Sequence, residues 1–217
     1  MQRGRFITLE GGEGTGKSTQ VQRLVDFFVE KGLDVLVTRE PGGSEGAEMI
    51  RPLLVSGHYP WELCAEYLLF SAARSDHLSK VILPALESGT WVICDRFFDS
   101  SFVYQGIVQG LDVEFMRTVY NGLSRGVYPD LTIVLDVQTQ QALARVTARH
   151  GIENRFEQKG MAFHEAVRSG FLDLANHEAH RMRVVDASGD TEDVARMIQD
   201  VVQYFFKDDP SFASSKE

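Results

Sequence analysis

The apolar residues of this chain follow two different spacings. Short apolar runs bounded by glycine, proline or charged residues predict five buried strands, at Phe6–Leu9, Val35–Val37, Trp91–Arg96, Leu131–Leu135 and ending at Val184–Val185. Between these runs, apolar residues recur every three or four positions, which is the spacing of one helix face. Strands that alternate with helices predict an α/β fold with a mostly parallel sheet covered by helices on both faces.

The helical stretches differ in length and in how sharply they end. Those with the clearest spacing cover Val21–Val29, Trp61–Leu86, Val113–Leu123, a segment beginning near Ala162, and Val194–Phe205. After that last helix the periodicity is lost, and residues 207–217 become polar. We therefore predict a single domain over residues 1–206 and a flexible tail at 207–217.

The turn between the first strand and the first helix is unusually rich in glycine. Its residues match G-x-x-x-x-G-K-[ST], with Gly11 first and Ser18 last. Glycines at such a turn allow consecutive backbone N–H groups to surround a phosphate, and the helix that follows adds its partial positive charge. The predicted ATP-binding residues are Gly11, Gly12, Glu13, Gly14, Thr15, Gly16, Lys17, Ser18 and Thr19.

Two side chains of this phosphate-binding loop (P-loop) carry chemistry of their own. Lys17 is placed to reach the β- and γ-phosphates, and the hydroxyl of Ser18 to ligate Mg²⁺. A second magnesium ligand is expected at the end of a neighbouring strand. Both Asp95 and Asp136 end apolar strands, and we favour Asp95 because Arg96 follows it directly.

Other polar groups lie where strands end or where a helix could face a ligand. Arg39 and Glu40 follow the second strand, and open α/β sheets place ligands at that edge. Phe70 and Arg74 are four residues apart, so they share a helix face and could stack on a base and bond its edge. On spacing alone, a core phenylalanine beside a surface arginine is the more common arrangement. Ser101, Tyr104 and Gln105 share one face of a short predicted helix.

A charged loop is predicted late in the chain, at about residues 149–160. Arg149 and Arg155 lie near its ends. After a P-loop, such a loop could close over a triphosphate as a lid and bring positive charge to it.

Composition narrows the possible partners. The chain has 217 residues and a formal net charge of −9, which argues against a broad basic surface for nucleic acid. No apolar run approaches the length of a membrane span, and the two cysteines lack metal-site spacing. We expect a cytoplasmic protein with small-molecule partners.

Two other functions are disfavoured by their missing motifs. The histidines of His177-Glu178-Ala179-His180 are three residues apart, so they do not form the zinc motif H-E-x-x-H. A GTPase-type switch would read guanine with N-K-x-D, but the chain has no Asn-Lys pair, and its D-x-x-G at Asp186–Gly189 comes too late to reach the γ-phosphate. A kinase instead needs a second anionic pocket, for which Arg39, Arg51, Arg74 and Arg96 are available.

Together these motifs resemble those of bacterial thymidylate kinases over nearly all of residues 4–206. The matching segments are Phe6–Thr19, Thr38–Gly43, Phe70–Arg74, Asp95–Phe97 with Ser101 and Tyr104-Gln105, Tyr128–Thr132, and Asn154–Glu157. The resemblance implies the nucleoside monophosphate kinase core, a five-stranded parallel sheet with helices on both faces and a short lid. It also implies transfer of a phosphoryl group from Mg-ATP to dTMP, a step of dTTP synthesis, in a homodimer.

The same resemblance implies roles for individual residues. Phe70 would stack on thymine, Arg74 would donate to its O4, Gln105 would lie near the base edge, and Tyr104 would favour deoxyribose. The residues implied to bind dTMP are Glu13, Arg39, Glu40, Arg51, Phe70, Arg74, Arg96, Ser101, Tyr104 and Gln105. The implied catalytic cations are Lys17, Arg96, Arg149 and Arg155.

One feature of the P-loop divides this family. Some members carry a catalytic arginine in the loop, whereas this chain has Gly14 at that position and would supply the arginine from the lid. Of the two lid candidates we favour Arg155, because it lies in the Asn-Arg-Phe-Glu segment. The alternative enzyme is another deoxynucleotide or deoxynucleoside kinase of the same fold.

Overall fold

A single parallel sheet forms the centre of the computed structural model, which describes residues 3–148 and 155–213. Its strands are β1 (Phe6–Glu10), β2 (Val35–Arg39), β3 (Trp91–Asp95), β4 (Leu131–Asp136) and β5 (Met182–Asp186). Their order across the sheet is β2-β3-β1-β4-β5, and all four neighbouring pairs are parallel. The predicted α/β fold with five parallel strands is confirmed.

Helices connect the strands and cover the sheet. They are α1 (Lys17–Glu30), α2 (Glu45–Val55), α3 (Leu63–His77), α4 (Leu83–Glu87), α5 (Phe98–Ser101), α6 (Val113–Ser124), α7 (Thr139–Ala148), α8 (Met161–His177), α9 (Thr191–Phe205) and α10 (Pro210–Ala213). Within the described ranges, none of these helices is both long and apolar enough to cross a bilayer.

The three central strands, β1, β3 and β4, are buried on both faces of the sheet. Successive residues of a strand point to opposite faces, so each face has its own cluster of buried side chains. Ile7 and Leu9 of β1 pack with α1 and α9 in one cluster, which includes Leu24 and Ile198. Phe6, which precedes Ile7 and points to the opposite face, belongs to a second cluster with Tyr67, Val92 and Tyr120. The near-continuous apolar runs of the sequence therefore mark strands that are covered on both sides.

The long helix predicted from Trp61 to Leu86 is interrupted rather than regular. Glu62 caps its start by accepting the backbone N–H of Ala65 at 3.1 Å. The chain widens into a π-helical turn at Leu78–Ile82 between α3 and α4. A second π-helical segment, Phe102–Val108, follows α5. The wider turns change which side chains share a face, and such turns occur often at functional sites.

The C-terminal segment differs from the flexible tail expected from residue 207 onward. Helix α10 carries Phe212, which is buried against Trp91 and Phe206 at ring-centroid distances of 5.7 and 6.3 Å. Arg5 Nε also lies 2.5 Å from Asp209 Oδ2. The segment is held by one buried aromatic side chain, and hydrophobic periodicity cannot predict such an isolated contact. Residues 214–217 lie outside the described part of the chain.

Candidate active site

The P-loop wraps around the carboxyl end of β1 and leads into α1. Gly14 has φ 75° and Gly16 has φ 92°, in the left-handed region that favours glycine. A Cβ at Gly14 would lie 2.1 Å from the carbonyl oxygen of Ala142. An arginine at position 14, as other members of the resembled family carry, would therefore require α7 to move.

Lys17 is the buried cation of this loop. Its Nζ donates to the carbonyl oxygens of Gly11 at 3.0 Å and Gly12 at 2.7 Å. Burial and the nearby positive charge of Arg96 lower the pKa of Lys17 to about 8. The ammonium is thus held by carbonyl oxygens of the loop, and a bound anion would stabilise its positive charge.

The two oxygen ligands predicted for magnesium lie together. Ser18 Oγ donates to Asp95 Oδ2 at 2.9 Å, at the end of β3. Asp136, the competing carboxylate, instead receives two hydrogen bonds from Arg168, at 2.7 and 2.9 Å. No group of three or more side chains suited to ligating a metal occurs in the described ranges. A hydroxyl and one carboxylate fit Mg²⁺, which keeps several waters and takes phosphate oxygens as its other ligands.

Arg96 is brought over the P-loop by an unusual backbone turn. Its φ is 66°, rare for a residue other than glycine. This turn lets Nη1 donate to the carbonyl oxygen of Gly11 at 2.9 Å and Nη2 to Glu13 Oε1 at 3.0 Å. Local strain of this kind is found at functional sites, where surrounding contacts hold it in place.

Glu13 links the P-loop to the neighbouring cavity. Its Oε2 accepts the hydroxyl of Tyr104 at 2.7 Å and lies 3.7 Å from His164 Nδ1. Although burial acts in the opposite direction, the charge of Arg96, the His164 contact and Lys17 lower the pKa of Glu13 to about 2. The side chain is therefore a carboxylate at neutral pH and fixes Arg96 and Tyr104.

A cavity of about 610 Å³ opens beside the P-loop. Of the ten residues predicted to bind dTMP, all but Arg39 line it. They are Glu13, Glu40, Arg51, Phe70, Arg74, Arg96, Ser101, Tyr104 and Gln105. Arg39 is exposed and donates to both carboxylate oxygens of Glu48, at 3.0 and 3.1 Å. We call this space the acceptor cavity.

Arg74 is part of a buried network at the floor of the acceptor cavity. Its Nε donates to Glu40 Oε2 at 2.7 Å, and Nη2 donates to Ser101 Oγ at 3.1 Å. His77 lies 3.1 Å from the other oxygen of Glu40 and 2.6 Å from the hydroxyl of Thr38. The interpretation favoured by spacing alone, a core phenylalanine beside a surface arginine, is wrong, because Arg74 is buried and Phe70 is only half-buried.

Arg155 belongs to the segment predicted to form a lid. Its Nη2 is 2.6 Å from Glu66 Oε2, and its guanidinium is 4.4 Å from the ring centre of Phe156. Phe156 itself lines the acceptor cavity. The ion pair with Glu66 holds Arg155 in the wall of the acceptor cavity. This position argues against our preference for Arg155 as the cation that acts on the transferring phosphate. Arg149 lies outside the described residues.

A second cavity, of about 710 Å³, lies on the other side of the P-loop. Its lining includes Thr15, Gly16, Arg145, Gly189 and Thr191. Arg145 donates to the carbonyl oxygens of Ala187 at 3.0 Å and Ser188 at 3.1 Å. No site was predicted from the sequence at this space. The Asp186–Gly189 segment, which was judged too late in the chain to reach the γ-phosphate, contributes to its lining.

Three further site residues were missed. Glu10 is fully buried and accepts the N–H groups of Phe97 at 2.8 Å and Ser100 at 3.2 Å, so it holds the turn beyond β3. Burial and the charge of Asp99 raise the pKa of Glu10 to about 7. Glu66 and Phe156 were also not assigned. A charged residue within the apolar run of residues 63–70 was the available signal for Glu66.

Comparisons with known proteins agree with this arrangement. Residues 9–198 match the family described as thymidylate kinase. The chain belongs to that family. A thymidylate kinase from Rhizorhabdus wittichii is 50% identical over 200 residues, covering 90% of this chain and 96% of the relative. One from Afipia carboxidovorans is 46% identical over 207 residues, covering 93% of this chain and 90% of the relative.

A solved structure supports the same assignment. The crystal structure of thymidylate kinase from Ehrlichia chaffeensis matches with a TM-score of 0.76 and 34% identity, covering 93% of this chain and all of that one. The resemblance inferred from the motifs is confirmed. The acceptor cavity and the second cavity are thus two spaces beside the P-loop of a thymidylate kinase family member.

Proposed function

We propose that this chain transfers the γ-phosphoryl group of Mg-ATP to dTMP, giving dTDP and ADP. The observation that carries the proposal is the acceptor cavity, which shares Glu13 with the P-loop and offers three arginines, one buried and two half-buried, beside a half-buried aromatic ring. A nucleoside monophosphate would occupy this space with its phosphate toward the P-loop. The alternative, another deoxynucleotide or deoxynucleoside kinase of the same fold, would need different acceptor chemistry.

The base is proposed to lie between the ring of Phe70 and the polar groups of α3 and the π-helical segment. Arg74 is held in place by Glu40 and would donate to O4 of thymine. Gln105 would lie at the base edge. Tyr104, whose hydroxyl is bound to Glu13, would crowd the 2′ position and favour deoxyribose.

The acceptor phosphate is proposed to meet Arg51, Arg96 and Ser101, with Arg39 at the rim. Arginines suit phosphate because their planar fork donates two hydrogen bonds at once. A nucleoside acceptor would require a free carboxylate to take the proton of its 5′-hydroxyl. Glu13 is bound by Arg96 and Glu40 by Arg74, so both cavity carboxylates are occupied. This arrangement favours a phosphorylated acceptor over a nucleoside.

The donor is proposed to place its phosphates in the loop formed by residues 11–19, with its base in the second cavity near Arg145. Lys17 would bind the β- and γ-phosphates, and Ser18 with Asp95 would hold Mg²⁺. Magnesium, when bound, neutralises charge on the phosphates. Binding of phosphate would replace the loop carbonyls that now accept from Lys17.

Catalysis then depends on positioning and charge neutralisation. A phosphate monoester is already anionic, so its oxygen can attack the γ-phosphorus in line without a general base. Lys17 and Arg96 would stabilise the charge that spreads over the transferring group. Because Arg155 is paired with Glu66, we propose Arg149 as the lid arginine that completes this stabilisation.

Replacing Phe70 by alanine tests the acceptor site. Loss of stacking on the base is expected to raise the KM for dTMP by about tenfold or more, since stacking on an aromatic ring contributes about 1–3 kcal/mol per base. The KM for ATP should stay within twofold of the original. Steady-state kinetics with each substrate varied in turn measures both values, and an unchanged KM for dTMP would remove the stacking role.

We also propose a homodimer that acts in the cytoplasm, where its nucleotide substrates are found. Helices α2 and α3 expose several large apolar side chains, which supports an interface on that side. They are Met49, Leu53 and Leu68, with exposed fractions of 76%, 49% and 45%.

A further inference from the structure

A buried carboxylate joins three elements at the base end of the acceptor cavity. Glu66 lies on α3, one turn before Phe70, and only 4% of its surface is exposed. Its Oε1 accepts a hydrogen bond from Gln105 Nε2 at 2.8 Å, and its Oε2 lies 2.6 Å from Arg155 Nη2. One side chain thus holds the π-helical segment and the lid-side arginine together.

The bond to Glu66 determines which end of the Gln105 amide is left for a ligand. A carboxylate paired with a guanidinium can only accept hydrogen bonds, so Gln105 must turn its amino group toward it. Gln105 lines the acceptor cavity, and no donor among the described residues bonds its Oε1. The carbonyl oxygen is therefore the group that this side chain can offer to a base.

Arg155 closes the wall next to this amide. Its backbone N–H donates to the carbonyl oxygen of Val55 at 3.4 Å, at the end of α2. The adjacent Phe156 ring meets Tyr104 edge-on at 5.5 Å. Glu66 therefore anchors the segment that covers the base, and it fixes the group that contacts the base edge.

We propose that Glu66 is the residue that sets the base specificity of the acceptor site, by fixing Gln105 with its carbonyl toward N3 of the base. The proposal rests on the proposed function. Thymine presents an N–H at N3 beside an acceptor at O4, which complements the carbonyl of Gln105 and the guanidinium of Arg74. Cytosine presents a lone pair at N3 and an amino group at position 4, so both contacts become repulsive. Glu66 acts through Gln105, so its role is positioning rather than catalytic.

The substitution Glu66→Gln tests this directly, because it keeps the shape but adds a donor. An amide at position 66 allows Gln105 to bind it in either orientation, and the ion pair with Arg155 is lost. The KM for dTMP should rise by about tenfold or more, as for loss of a hydrogen bond to a charged group. The KM for ATP should stay within twofold, and the ratio of kcat/KM for dTMP over dCMP should fall.

Two further variants separate positioning from general damage. Glu114→Gln makes the same chemical change at a side chain that is 88% exposed. Its KM values for dTMP and ATP should match those of the unsubstituted protein. Arg155→Met removes the ion pair but leaves Gln105 bound to Glu66. It should raise the KM for dTMP while keeping the dTMP over dCMP ratio. If Glu66→Gln lowers the thermal unfolding midpoint too far for assay, a lowered dTMP over dCMP ratio in Arg155→Met still overturns the proposal.

The outcomes that would overturn the proposal are distinct from failure of the enzyme assignment. If the unsubstituted protein turns over dTMP and Glu66→Gln leaves both its KM and the ratio unchanged, Glu66 does not set specificity. An equal rise in the KM for ATP and dTMP would show a structural role only. A lower ratio of kcat/KM for dTMP over dCMP in Arg155→Met would mean that the wall formed by Arg155, rather than Glu66, determines base specificity. If the unsubstituted protein does not phosphorylate dTMP, the proposed function itself fails.

Discussion

Replacing Lys17 by methionine is expected to reduce kcat/KM for both substrates by on the order of 10³-fold, comparable to loss of a donor that stabilises transition-state charge. Methionine keeps much of the length and apolar stem of lysine but removes the ammonium that now donates to Gly11 and Gly12. Initial-rate measurements with ATP and dTMP each varied would give this value. A variant within tenfold of the original would mean that Lys17 does not contact the transferring group.

Because the pKa of Lys17 is lowered, we expect ATP binding to depend on pH. Burial and Arg96 lower its pKa to about 8 in the nucleotide-free protein, whereas bound phosphate favours the charged form. As pH rises above about 8, the free protein loses the proton that ATP binding requires, so ATP affinity should fall by up to about tenfold per pH unit. Titration of a nonhydrolysable ATP analogue should show this fall. Lys17→Met, the matched control, should show none.

Arg149→Ala is expected to lower kcat for dTMP by on the order of 10³-fold, as for arginines that neutralise a transferring phosphoryl group. Arg155→Ala should instead raise the KM for dTMP and leave kcat within a few-fold. The reason is the position of Arg155, whose guanidinium pairs with Glu66 in the acceptor wall. Comparing the two variants in one steady-state assay assigns the lid arginine.

Either lid result can contradict the assignment. A large fall in kcat for Arg155→Ala would mean that its ion pair breaks during turnover and that it moves to the phosphates. Near-normal kcat in both variants would remove the lid from catalysis altogether. Thermal unfolding of each variant controls for damage, and Arg155→Ala is expected to lower the unfolding midpoint, because Glu66, whose side chain is only 5% exposed, loses its cationic partner.

The sheet could be predicted from sequence because each strand carries its own signal. Trp91–Asp95 and Leu131–Asp136 are apolar on both faces, and helical spacing separates them, which together indicates a covered parallel sheet. The π-helical turns and α10 could not be predicted in this way. They depend on contacts distant in sequence, such as the burial of Phe212 against Trp91.

The site was predictable where a motif fixes the geometry and less so where packing decides it. The P-loop sequence implied the positions of Lys17 and Ser18, because glycine spacing and the following helix define the turn. The ion pair of Arg155 with Glu66 was not implied, since it joins the predicted lid segment to a helix about 90 residues earlier. The roles of the individual site residues stay predictions.

Phosphorylation of alternative acceptors tests the central claim most directly. In a coupled assay with Mg-ATP, the acceptor cavity predicts rapid ADP formation with dTMP and little with dCMP, AMP or GMP. Thymidine should be inactive, because it lacks the phosphate that Arg51 and Arg96, which line the acceptor cavity, are proposed to hold. Preferential phosphorylation of thymidine, or of any nucleotide without a thymine-like base edge, would contradict the account.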